Sequence, residues 1–169
     1  MDITKYFPHH MWVRRSFKGI KDEWYNIRAF FQRGRLGWAN CDTWNMDNYL
    51  GRILPAMLRH LAENHCGMPM EYMDKYSDED KASEAWAADL NHIADIIEYA
   101  NSESDDHNKY AEDYLAIVLH KNINDPMPEG KEWLQEAYYN ESQTIYKKQQ
   151  AAIKEAMTWL GEHYFSLWD

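Results

Sequence analysis

Cysteine is nearly absent from this chain: Cys41 and Cys66 are the two among 169 residues, too few for a disulfide framework. Glycine and proline are also scarce, at 7 and 5. That scarcity argues against the many tight turns of an all-β chain and in favour of long helices. No run reaches the roughly eighteen apolar residues of a membrane span, and nothing resembles a signal peptide. A reduced, cytoplasmic protein with no membrane partner is the expectation these absences leave. The common motifs of site chemistry are missing as well. There is no P-loop, no dinucleotide glycine pattern, no H-E-x-x-H, no C-x-x-C and no G-x-S-x-G elbow, so no cofactor is expected.

What is present is aromatic weight and acidity. The chain has 8 Trp, 12 Tyr and 9 Met, enough bulky side chains to build a core and to make disorder an unsuitable reading. Its length fits one domain. The net charge of −10 is unevenly spread. Residues 1–70 are net +4, residues 71–106 net −10 and residues 107–169 net −4. An acidic segment of that strength repels phosphate, which disfavours nucleic acid as a ligand. It would attract a basic protein surface, or serve only to keep the surface solvated.

Periodicity predicts an all-α bundle of four or five helices behind an irregular N-terminal arm. The arm, residues 1–21, carries Tyr6, Phe7, Trp12 and Phe17, with His9–His10 read as a surface pair. A first helix over residues 21–32 is followed by a loop from Arg33 to Asn40 around Gly34 and Gly37. Asp42 or Thr43 is placed to cap a second helix over residues 44–64. Its stripe of Met46, Leu50, Ile53, Met57 and Leu61, widened by Leu54 and Leu58, is expected to be buried. Pro55 lies inside that helix, with Gly51 where its ring would crowd the preceding turn. Residues 66–76 read as a loop. Ser77 followed by Asp78, Glu79 and Asp80 marks the next helix start, and Trp86, Leu90, Ile93 and Ile97 form its inner face. A short helix around Tyr110–Val118 comes next. A long helix follows from about Glu129, with a thin apolar stripe over residues 143–150 that suggests a bend or exposure. Nothing alternates as a strand does.

Three places could carry chemistry or binding. The acids Asp78, Glu79, Asp80 and Glu84 could steer a basic partner. Asp42 and Asp47 flank Trp44, where a carboxyl against indole could act as a general acid. The stronger reading is a polar cluster in which Asp42 caps the helix and Asp47 pairs with Arg33, Arg35 or Arg52. Finally, His60 with Glu63 and His92 with Asp95 are i,i+3 pairs on two helices, with Glu98 one turn beyond, where a bundle could hold metal ions. Their order is the reverse of the Glu-x-x-His of carboxylate-bridged di-iron bundles. The terminal aromatics, among them Tyr138, Tyr139, Trp159, Tyr164 and Phe165, suit core packing or a protein interface better than base stacking.

Residues 33–69 also resemble a group of small proteins encoded by tailed bacteriophages. In that group an Arg-Gly loop precedes an Asp-x-Trp-x-x-Asp segment and a helix ending in Leu-x-x-Leu-x-x-x-x-x-Gly-x-Pro. The matching residues are Arg33, Gly34, Asp42, Trp44, Asp47, Leu58, Leu61, Gly67 and Pro69. The acidic middle helix and the terminal Leu167–Trp168–Asp169 are similar too. The resemblance implies a phage origin and an all-α fold and brings no activity with it. The expectation is a non-enzymatic accessory protein, in the host cytoplasm, that binds a host or phage protein with a basic surface as an inhibitor, adaptor or anti-defence factor. The alternatives are a metal-dependent enzyme using His60, Glu63, His92 and Asp95, and a virion structural or assembly protein in which self-association as a homo-oligomer would be prominent.

Overall fold

The computed structural model describes residues 20–119 and 126–167. The expected arm, with His9 and His10, lies outside them. Among the described residues the fold is all-α, of the helical-bundle kind. The helices are α1 (Ile20–Leu36), α2 (Met46–Asn64), α3 (Met70–Tyr76), α4 (Glu79–Ala100), α5 (Ala111–Val118) and α6 (Glu132–Glu162). Short 3-10 turns cover Ser104–Asp106 and Tyr164–Ser166. None of these helices is long and apolar enough to cross a membrane. The chain forms two compact units. Of the described residues, 20–98 together with 164–167 belong to the first, and 99–119 with 126–163 to the second.

In the first unit α4 supplies the core. Trp86, Leu90, Ile93 and Ile97 recur at helical spacing and are buried, with Ala82 and Ala94 beside them. Tyr72 of α3 meets Trp86 edge-on, with ring centroids 5.3 Å apart, and its hydroxyl donates to Asp89 at 2.5 Å. This anchoring explains why residues 70–76 fold as a helix and not as the expected loop. Pro69 starts it without needing an N–H, and Ser77, at φ 53, ends it in the left-handed region.

Two cross-links join α2 to α4. Arg59 bonds Asp95 and Glu98, each at 2.7 Å, while His65 just past α2 reaches Ser83 at 2.9 Å. Moving forward along α2 therefore means moving backward along α4, so the two run antiparallel. The buried face of α2 is Gly51, Pro55, Leu58 and Ala62. The stripe expected inside is rotated outward, leaving Met46, Leu50 and Met57 exposed. The covered face is thus made of small residues and a proline ring around Leu58, which belonged to the expected stripe. Pro55 is tolerated within an unbroken α2.

The second unit is built on α6, which packs against α5 and the 3-10 turn. Leu134, Ile145, Gln149 and Ala156 are its buried positions. Of the two expectations for residues 143–150, the exposed stretch is found and the bend is not: six of the eight residues are exposed. α6 is continuous there, and two of its four buried residues fall inside that stretch.

α1 also runs past its expected end. Gly34 is helical, and the terminator is Gly37, at φ +79, whose N–H donates to the Arg33 carbonyl at 2.9 Å. Arg33 and Arg35 in the last turn complement the negative end of the helix dipole, which offsets the propensity cost of Gly34. The two glycines thus give opposite tests, because a Cβ would meet nothing within 4 Å at either. Gly34→Ala should stabilise the fold by roughly 0.5–1 kcal/mol. Gly37→Ala should destabilise it by about 1 kcal/mol. Urea unfolding of the two variants checks both signs.

Candidate functional site

The turn after Gly37 is held by one carboxylate. Asp42 is buried, at 6% exposure. Arg33 donates to it through both Nε, at 2.9 Å, and Nη2, and the Ala39 N–H donates to Oδ2 at 2.8 Å. The Cys41 thiol lies 3.6 Å from both partners. The Tyr49 hydroxyl closes the turn from α2 by donating to the Gly37 carbonyl at 2.7 Å, and Gln32 of α1 accepts from the Asn40 N–H at 3.2 Å. Burial by itself would raise the Asp42 carboxyl, but the Arg33 guanidinium and the Ala39 N–H outweigh it and hold it below the ordinary carboxylate range.

This geometry corrects the assignment of Asp42 as a helix cap. The residue preceding α2 is Asn45, which makes no side-chain cap bond. Asp42 faces back to α1, because the guanidinium and a backbone donor together offer more than one N-terminal N–H. It is not a proton donor at neutral pH either, being held ionised. Asp47 sits exposed in the first turn of α2, where it complements the helix dipole. Among the described residues no ion pair reaches it, so the expected pairing with Arg33, Arg35 or Arg52 is not formed. Trp44, between the two acids, is 89% exposed, so no dry pocket forms against its indole.

The acids at the start of α4 are all at the surface: Asp78, Glu79, Asp80 and Glu84 are exposed. Asp78 has a structural task, accepting from the Lys81 N–H at 3.1 Å as a cap does, with the Lys81 ammonium 3.8 Å away. Asp74 of α3 is exposed nearby in sequence. The patch is a field of negative charge on helical backbone, with two lysines, Lys75 and Lys81, among its acids.

The four metal candidates are placed apart in role. Asp95 is taken by Arg59 together with Glu98, and those two carboxylates keep the guanidinium firmly protonated. His60 lies against the Asn64 amide at 3.2 Å. Glu63 and His92 are exposed. Among the described residues no three His, Cys, Asp or Glu side chains are grouped so as to hold a metal ion.

Sequence reasoning passed over the polar network of the second unit. Asn108 is buried and fully used. Its amide donates to the Tyr138 carbonyl at 2.9 Å and to Ser142 Oγ at 2.7 Å, and its oxygen accepts from the Tyr110 N–H at 2.9 Å. Gln149 donates to the carbonyls of Tyr99, at 3.2 Å, and Ser102, at 2.9 Å, tying α6 to the turn where α4 ends. Tyr114 stacks on Tyr138 with centroids 4.2 Å apart. Its hydroxyl donates to that of Tyr139, and this bond, with burial second, pushes the Tyr114 phenol up to about 12. The Tyr138 hydroxyl donates to Asp105 at 2.6 Å. A network satisfied in this way stiffens the unit. One signal in the sequence pointed to it: Gln149 falls on the same helical face as Leu134, Tyr138, Ile145 and Ala156.

No protein-family model, curated protein or solved structure matches the chain.

The buried pair sets a pH dependence. The folded-state pKa of Asp42 is depressed, so its contribution is present above the unfolded value of about 4 and is lost as pH falls through the folded value. Asp42→Asn should cost about 2–4 kcal/mol at pH 7, because it leaves a buried guanidinium without its counter-charge. Chemical denaturation of both proteins should show this gap narrowing as pH drops below about 4. A gap unchanged down to pH ~2 would show that the pair is not the origin of the effect.

Proposed function

We propose that this chain is a non-enzymatic binding protein, a phage-type accessory factor that docks onto a host or phage protein with a basic surface. The observation that carries the reading is the exposed acidic start of α4, where Glu79, Asp80 and Glu84 face solvent on a helix whose opposite face is locked into a core by Trp86 and Leu90. Rigid charge of one sign raises the encounter rate with a surface of the other sign and penalises wrong partners. A surface that normally grips nucleic acid has the required chemistry, which fits an inhibitor, an adaptor or an anti-defence factor acting inside the host cell.

Trp44 adds an anchor. A tryptophan 89% exposed on a turn fixed by Arg33 and Asp42 has little to do for its own fold. Indole side chains are prominent among the residues that dominate binding energy at interfaces. The resemblance of residues 33–69 to phage-encoded proteins includes this residue and both flanking acids.

Two variants test the reading with the whole chain as bait in host lysate. In the first, Glu79, Asp80 and Glu84 are each changed to Lys while the capping Asp78 is kept. Capture of partners at low salt should fall several-fold, and added salt should erase the difference between variant and parent. In the second, Trp44→Ala, stability should stay within about 0.5 kcal/mol of the parent while the captured set weakens. An identical captured set from all three proteins would remove both surfaces from the proposal.

A further inference from the structure

α6 carries a second apolar line that is only partly covered among the described residues. Tyr139, Tyr146 and Ile153 recur every seven residues, so they drift only about 20° per step around the helix. Tyr139 and Tyr146 are 51% and 54% exposed, and Met157, one turn beyond Ile153, is 42% exposed. This line lies roughly a quarter-turn from the buried face of Leu134, Ile145, Gln149 and Ala156. The Gln150 amide donates to the Tyr146 hydroxyl at 2.9 Å and steadies the central ring.

The charges along the same helix are polarised. Before Tyr146 it bears Glu132, Glu136 and Glu141 and no cation; after it come Lys147, Lys148 and Lys154, with Glu155 and Glu162 on the side of the helix away from the line. A second copy laid parallel would set like charges side by side. One laid antiparallel sets the acidic half against the basic half, and a twofold axis generates that arrangement.

We propose that two copies of this chain associate through α6, antiparallel about a twofold axis at Tyr146. Tyr146 then meets its own counterpart, and Tyr139 of each copy meets Ile153 of the other, because both stand seven residues from the axis. Glu136 and Lys154 lie on one flank of the line, ten residues before Tyr146 and eight after it. A twofold brings equal flanks together, so each Glu136 comes beside the second copy's Lys154, offset by about 3 Å along the helix. Lys147, on that flank beside the axis, meets its own counterpart and limits the affinity. One helix–helix seam is a small interface, and with this opposition the expected dimer is weak. The inference does not depend on the acidic start of α4 or on any outside partner.

Sedimentation equilibrium of the full chain, from low to several hundred micromolar, tests it. The expected result is reversible association from a 20.2 kDa monomer to a species of twice that mass. Tyr146→Asp should abolish association while the far-ultraviolet circular dichroism stays that of the parent. Glu136→Lys and Lys154→Glu should each weaken the dimer about tenfold, since each reverses two symmetry-related pairs. The double variant should restore parental affinity, which a merely structural role for either residue would not produce. A protein that stays monomeric throughout, a dimer indifferent to Tyr146→Asp, or a double variant no better than the singles would overturn the proposal.

Discussion

A carboxylate buried against a guanidinium is the constraint on which the N-terminal half of the described chain depends. Asp42 can stay ionised inside the protein because Arg33 and the Ala39 N–H surround it. In return it fixes where α1 ends, how residues 37–45 turn and how Trp44 is presented. Gly37 makes the geometry possible by taking a backbone conformation that a side chain would resist. The arrangement is one of specification as much as of stability. Apolar residues in place of the pair could pack as well, but they would not define a single turn.

The two units solve their polar accounting in different ways. In the first, charged groups at the periphery link helices: Arg59 to Asp95 and Glu98, and His65 to Ser83. Exposed pairs of this kind set register at little energetic gain. In the second, neutral amides do the work from inside. Asn108 donates to the Tyr138 carbonyl of α6, and Gln149 to the carbonyls of Tyr99, in the last turn of α4, and Ser102, just beyond it. A buried amide avoids the desolvation cost of an ion yet still punishes misalignment, because each lost bond strands a polar atom away from water.

The sequence was legible where periodicity and bulk agreed. Trp86, Leu90, Ile93 and Ile97 were readable as the inner face of α4, and the all-α class followed from the scarcity of glycine and proline. It misled where small residues outcompeted large ones. On α2 the eye is drawn to Met46, Leu50 and Met57, which are exposed, while Gly51, Pro55 and Ala62 are covered together with Leu58. Glycine misled in the other direction: Gly34 and Gly37 look alike in sequence, and only the backbone dihedrals separate a helical residue from a terminator. At the candidate site, Asp42 was given the wrong partner, since a nearby helix start is visible in one dimension and a guanidinium nine residues back is not. The network around Asn108 was hidden for the same reason, its partners lying 30 and 34 residues away.

These separations bear on the order in which the chain can assemble. The Arg33–Asp42 clamp spans nine residues and the Tyr49–Gly37 bond twelve. The bonds of Gln149 to Tyr99 and Ser102 span 50 and 47. Bringing the ends of the longer loop together costs roughly 1.5 kcal/mol more in chain entropy than closing the clamp. The clamp is therefore local enough to close while the rest of the chain is still searching. The buried amide of α6 is a late fastener, and it can engage only after α4 has an end to be fastened to.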